Sequence, residues 1–187
     1  MRSAATGSSD LTCTAGDAGS PAAEPPQRVL VVMGVSGSGK STLARRLADE
    51  LGWDLQEGDE LHPAANLAKM SAGRPLSDAD REPWLAAVRA WIDAQLDQRR
   101  SGVVSCSALR RSYRDWLRRP GVTFVYLDVG RPELARRLAT RAEHFMPAQL
   151  LDSQLATLEV PTAAEADVIR VDGERGDAVT AVLARLD

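Results

Sequence analysis

Residues 34–41 read Gly34-Val35-Ser36-Gly37-Ser38-Gly39-Lys40-Ser41 and directly follow the apolar run Val29-Leu30-Val31-Val32-Met33. The spacing is G-x-x-x-x-G-K-[ST], a phosphate-cradling loop wherever a strand precedes it and a helix follows. Small residues let successive backbone N–H groups turn inward around an anion. Lys40 reaches the β- and γ-phosphates, and the Ser41 hydroxyl is a ligand for Mg²⁺. The stretch from Thr42 to Leu51 supplies the helix, with Leu43, Leu47 and Leu51 on one face and its positive end turned to the anion. Gly34, Val35, Ser36, Gly37, Ser38, Gly39, Lys40, Ser41 and Thr42 are therefore the expected nucleoside-triphosphate site.

Four further stretches carry residue types that a scaffold does not require. In Glu57-Gly58-Asp59-Glu60-Leu61-His62, just past a short apolar strand, Asp59 is expected to face the P-loop crevice, where ligands of open α/β sheets bind. A carboxylate there accepts the proton of an acceptor hydroxyl or orients it for in-line attack, and Glu57 can hold a Mg²⁺-bound water. The competing reading is two solvated loop acids. If 63–72 is helical, His62, Asn66 and Lys69 share one face at spacings of four and three, a row suited to a polyhydroxylated ligand. Ser77 or Asp78 caps a long helix. Asp78 and Asp80 suit its positive end, whereas Arg81 in the same first turn does not, which hints that Arg81 serves an anion. Arg110 and Arg114 lie one helical turn apart beyond the strand Val103–Cys106, placed to clamp a carboxylate. That strand lacks a terminal Asp, so a bound Mg²⁺ leans on Ser41, waters and Glu57 or Asp59. Arg136, Arg137 and Arg141 precede His144-Phe145-Met146-Pro147, the layout of a lid over about 137–149 that brings arginines to the transferring phosphate. For each arginine alone, a solvated helix face is the plain alternative.

The elements that must position these groups alternate strand and helix, which gives an α/β fold with a parallel sheet. Strands are expected near 29–33, 53–57, 103–106, 122–129 and 168–171. Helices are expected after the P-loop and over 63–72, 77–96, 107–119, 132–141, about 150–158 and 178–186. The spacing of Trp84, Val88, Trp91, Ile92 and Leu96 assigns both tryptophans to the core. Residues 1–26 are rich in Ser, Thr, Ala, Gly and Pro with no hydrophobic period, and read as a disordered tail; residues 27–187 form the domain. Of 187 residues, 44% are hydrophobic, 26% are charged, and the net charge is −3. That charge argues against a general nucleic-acid binder. No run is long enough to span a membrane, and no signal-peptide pattern appears, so the expected location is the cytoplasm. Cys13 and Cys106, in the tail and a strand, are not expected to pair.

Taken together, M-G-V-S-G-S-G-K-S-T, G-D-x-x-H-P-x-x-N-x-x-K-M-S-x-G-x-P-L-x-D-x-D-R-x-P-W-L, C-S-A-L-R-x-x-Y-R-D-x-L-R and H-F-M-P-x-x-L-L-x-S-Q-x-x-x-L-E closely resemble the bacterial gluconokinases over residues 28–187. The resemblance implies a nucleoside-monophosphate-kinase-like P-loop fold, ATP and Mg²⁺ as cofactors, and transfer of the γ-phosphate to the 6-hydroxyl of D-gluconate, often by a homodimer. It makes Gly34–Thr42 the ATP phosphate site, Ser41 the Mg²⁺ contact and Asp59 the partner of the acceptor hydroxyl. His62, Lys69, Arg81, Arg110, Arg114 and Gln154 become gluconate contacts. Arg110 stands where Lys is usual and Glu143 where Gly often precedes His-Phe. The rival readings are a kinase of shikimate or a nucleoside monophosphate, and a non-catalytic ATP-binding regulator. By fold analogy alone, the loop 172–176 is a candidate adenine wall.

Overall fold

Five consecutive residues of β1 (Val29–Met33) are fully buried, as a strand can be only when helices cover both sheet faces. The protein is described by a computed structural model covering residues 27–140, 149–174 and 176–186. The expected tail (with Cys13), Arg141, Glu143 and the His-Phe-Met-Pro turn lie outside the described residues. The remaining elements are α1 (Lys40–Leu51), β2 (Asp54–Glu57), a 3₁₀ turn at Gly58–Leu61, α2 (Ala64–Ser71), α3 (Asp78–Asp97), β3 (Gly102–Ser105) and α4 (Arg111–Leu117). They continue with β4 (Val122–Asp128), α5 (Arg131–Thr140), α6 (Gln149–Thr157), β5 (Val168–Asp172) and α7 (Ala178–Leu183). The strands form one parallel sheet in the order β2-β3-β1-β4-β5.

Strand alternation divides the core. Val29, Val31 and Met33 face one layer with Trp84, Val88, Ile92 and Leu117 of α3 and α4. Leu30 and Val32 face the other, with Leu43, Leu47, Val179 and Val182 of α1 and α7. The α3 helix starts with a reciprocal capping box: Ser77 Oγ accepts from the Asp80 N–H, and the Asp80 carboxylate accepts from the Ser77 N–H. Pro83 removes one bond from that helix's ladder. Beside it, the Asn66 carboxamide donates to the Asp80 carbonyl at 2.6 Å and ties α2 to α3. Among the described residues no helix is long and apolar enough to cross a membrane.

Most elements fall where the hydrophobic period put them, with one informative exception. The helix expected from Ser107 begins only at Arg111. Ala108 has φ +40°, a left-handed conformation that a helix cannot contain. The Gly34 N–H donates to the Ser107 carbonyl, so residues 106–110 form a loop against the P-loop.

Candidate active site

The P-loop leaves β1 through three glycines of positive φ, Gly34, Gly37 and Gly39, the last being the cap of α1. A side chain at these positions is strained, so their residue type follows from the backbone path. The Lys40 ammonium donates to the Val35 carbonyl at 3.0 Å, inside the loop. The Ser38 hydroxyl is buried without a hydrogen-bond partner among the described residues. A loop lined by N–H donors, a lysine and an orphaned hydroxyl fits the phosphates of a nucleoside triphosphate. Ser41 and Thr42, at the start of α1, are exposed.

On one side of the P-loop lies an open cleft. Its walls include Ser36, Lys40, Asp59, His62, Arg74, Arg81, Ser107 and Gln154. A chain of hydrogen bonds from the sheet positions Asp59. Ser105 Oγ at the end of β3 donates to Glu57 Oε2 at 2.6 Å and accepts from the Gly58 N–H. The Trp84 indole N–H donates to the Gly58 carbonyl at 2.7 Å. A Cβ on Gly58 would lie 2.0 Å from the Ser105 carbonyl oxygen, so only glycine permits this approach. Trp84 is buried, as its helical period required, and its N–H also holds the turn that carries Asp59.

His62 stacks on Trp84 with ring centroids 4.4 Å apart and planes 12° off parallel. Its ring nitrogen Nδ1 meets the Asn66 carboxamide at 3.3 Å. Burial lowers its pKa from 6.5, outweighing the nearby Asp59 carboxylate, so the ring is neutral at pH 7. Arg81 reaches the cleft from the first turn of α3 with its side chain only 11% exposed. Its guanidinium, that of Arg110 and the Tyr113 hydroxyl all converge on Asp78. The Tyr113 hydrogen bond and the two arginines hold the Asp78 carboxyl below its ordinary value. Glu57 is pinned by Ser105 and lies 3.5 Å from the Arg45 guanidinium, its Oε1 buried and accepting no hydrogen bond among the described residues.

Several expected contacts are not brought to this cleft. Arg114 does not join Arg110. It is 1% exposed, turned into the core, bidentate to Glu165 at 2.7 and 2.8 Å, and donates to the Ala108 and Leu109 carbonyls. The late start of α4 is the reason: Arg110 stands before the helix in extended backbone, off the face that carries Arg114. Lys69 is spent on Asp80 at 2.5 Å, and with Ser77 it pulls that carboxyl well below the carboxylate range. Arg137, expected at the transferring phosphate and not in this cleft, lies on the other side of the P-loop and donates to the Ser38 and Gly173 carbonyls and to Glu133. There it borders a second cleft with Thr42, Arg46, Asp172 and Glu174, which includes the loop expected to wall the base. Arg74 was missed by the sequence reading. It lines the acceptor cleft with a guanidinium that has no partner among the described residues, and its exposed position in a turn carries no periodic signal.

A P-loop between two clefts, on a five-stranded parallel sheet, defines a small-molecule kinase of the P-loop class. The AAA domain family matches residues 29–161. A gluconokinase of Gluconobacter oxydans (strain 621H) is 57% identical over 150 residues, covering 79% of this chain and 84% of the relative. Among solved structures, a gluconokinase from Sinorhizobium meliloti 1021 superposes with a TM-score of 0.74 at 46% identity, covering 86% of this chain and 93% of that one. An unliganded sugar kinase from Janibacter sp. HTCC2649 gives a TM-score of 0.79 at 45% identity over the same shares. The chain belongs to the gluconokinase family.

Proposed function

We propose that this chain transfers the γ-phosphoryl group of ATP to the 6-hydroxyl of D-gluconate, giving 6-phospho-D-gluconate and ADP. The observation that carries the reading is the cleft that gathers Asp59, Lys40, Arg81 and neutral His62 beside the P-loop. A polyol with one carboxylate asks for that mixture of cationic anchors and neutral or acidic hydrogen-bonding groups. Asp59 accepts the proton of the 6-hydroxyl as its oxygen forms a bond to the γ-phosphorus and the bond to ADP breaks. Lys40 and the P-loop N–H groups stabilise the charge that develops on the transferring group. Arg81 and Arg74, both lining the cleft, bind the carboxylate of the acceptor, with Arg110 beside Arg81 on Asp78.

Mg²⁺ fits the donor set. Among the described residues no three His, Cys, Asp or Glu side chains gather as a metal cage. P-loop proteins instead hold Mg²⁺ between a Ser hydroxyl and the phosphates, which gives Ser41 that role. Glu57, at the end of β2, is the carboxylate this reading offers to a metal-bound water. The ion neutralises phosphate charge when bound. The same reading has the enzyme cytoplasmic and homodimeric, Arg141 over the phosphates from a lid, and residues 1–26 outside the catalytic domain.

ADP release with Mg²⁺–ATP should depend on D-gluconate and be silent with shikimate or AMP, and ³¹P NMR should place the phosphate on C6. Asp59→Asn should lower kcat by at least about 10²-fold with little change in ATP affinity. Near-normal turnover in that variant refutes the role given to Asp59.

A further inference from the structure

Gln154 touches both halves of the site. Its side chain lines the acceptor cleft with Asp59 and Arg81, while its Oε1 accepts the backbone N–H of Ser36 in the P-loop at 2.6 Å. Backbone N–H groups of this loop are the donors that cradle phosphate. The carboxamide oxygen therefore sits on one of the backbone donors of the phosphate loop itself.

We propose that Gln154 couples nucleotide binding to acceptor binding. In the nucleotide-free protein its Oε1 satisfies Ser36. A nucleotide phosphate takes over that N–H, and the released carboxamide turns to the hydroxyls of the acceptor. The acceptor's identity rests on the function proposed above; the exchange at Ser36 does not.

Three features of the chain suit the exchange. A carboxamide both donates and accepts, and it is uncharged, so changing partners strands no charge in the cleft. The helix that carries it is held independently: Leu151 of α6 is buried. Just beyond α6, the Glu159 N–H donates to the Leu109 carbonyl at 2.8 Å and the Glu159 carboxylate caps the Arg111 N–H at 2.7 Å. The side chain can thus change partners on a fixed backbone. Coupling of this kind is reciprocal, each ligand raising the affinity of the other by the same factor.

Isothermal titration of the full chain with Mg²⁺ and a non-hydrolysable ATP analogue, with and without D-gluconate, tests the proposal. In the wild type each ligand should tighten the other. Gln154→Leu, similar in size, should bind the analogue alone about fivefold more tightly, because no hydrogen bond must be given up. Its gluconate affinity should no longer respond to nucleotide. Gln154→Glu puts a charged acceptor on the same N–H, so it should bind the analogue about tenfold more weakly than wild type. Thermal melts of both variants check that the fold is kept. If Gln154→Leu binds the analogue no better than wild type, or keeps the full coupling, the proposal is overturned. If the wild type binds no gluconate under any condition, the proposed function fails, and the opposite shifts of the Leu and Glu variants toward nucleotide still decide the exchange at Ser36.

Discussion

Replacing Glu165 by Ala strips the counter-charge from a guanidinium that water cannot reach. Arg114 and Glu165 have side chains 1% and 2% exposed, and two of the four Arg114 hydrogen bonds go to Glu165. The other two, to the Ala108 and Leu109 carbonyls, leave the positive charge uncompensated once the carboxylate is gone. Breaking a buried pair by removing one partner costs about 3–5 kcal/mol. In a domain of this size each kcal/mol is worth roughly 2–4 °C, so Tm should fall by roughly 10 °C. Thermal and urea melts followed by circular dichroism measure it. The pair also has a pH signature. Arg114 hydrogen bonds hold the Glu165 carboxyl below its ordinary 4.5. Its folded pKa is depressed, so the stabilisation is fully present above about 4.5 and is lost as pH falls through the folded value. The gap between wild type and variant should therefore narrow in acid. Arg114→Met combined with Glu165→Leu removes both charges and should cost less than Glu165→Ala alone. A loss under about 1 kcal/mol for Glu165→Ala, unchanged by pH, would refute the reasoning.

Two further substitutions probe the support under Asp59. Gly58→Ala drives a methyl group to within 2.0 Å of the Ser105 carbonyl, so the turn must shift; kcat/KM for the acceptor should fall at least about tenfold, with Tm lowered, by steady-state kinetics and melts. Trp84→Phe keeps a ring against His62 but loses the 2.7 Å bond to the Gly58 carbonyl; stability should drop by about 1 kcal/mol, and gluconate KM should rise while ATP KM holds.

Much of the fold was legible because its signals are local. The apolar run Val29–Met33, the P-loop glycines, the Ser77–Asp80 cap and the helical period through Trp84, Val88 and Ile92 each act within a few residues of chain. Asp59 was also readable, since a polar residue just past a strand of an open α/β sheet falls in the crevice. Arg81 was readable from its misplacement in the first turn of a helix, whereas the burial of Arg114 was not. At most doublets the default reading as a solvated face holds: Arg45, Arg46 and Arg100 are more than half exposed in surface ion pairs with Glu57, Asp177 and Asp54, while Arg118 and Arg119 turn inward to Asp167 and Asp93. An arginine at a given helical position looks the same whether its partner is water, a core carboxylate or a ligand.

The residue order alone determined that a strand, a phosphate loop and a helix follow one another, and which residue types meet at the crevice, because glycine torsions, caps and hydrophobic periods are properties of contiguous chain. Tertiary structure alone decided that Arg114 belongs to Glu165, 51 residues away, and that Lys69 belongs to Asp80. It alone set Arg137 behind the P-loop, left Arg74 open in the cleft and brought Gln154 onto Ser36. Those assignments depend on which charges and amides the packed sheet and helices bring within 3 Å or so of one another, and no local rule along the chain encodes that distance.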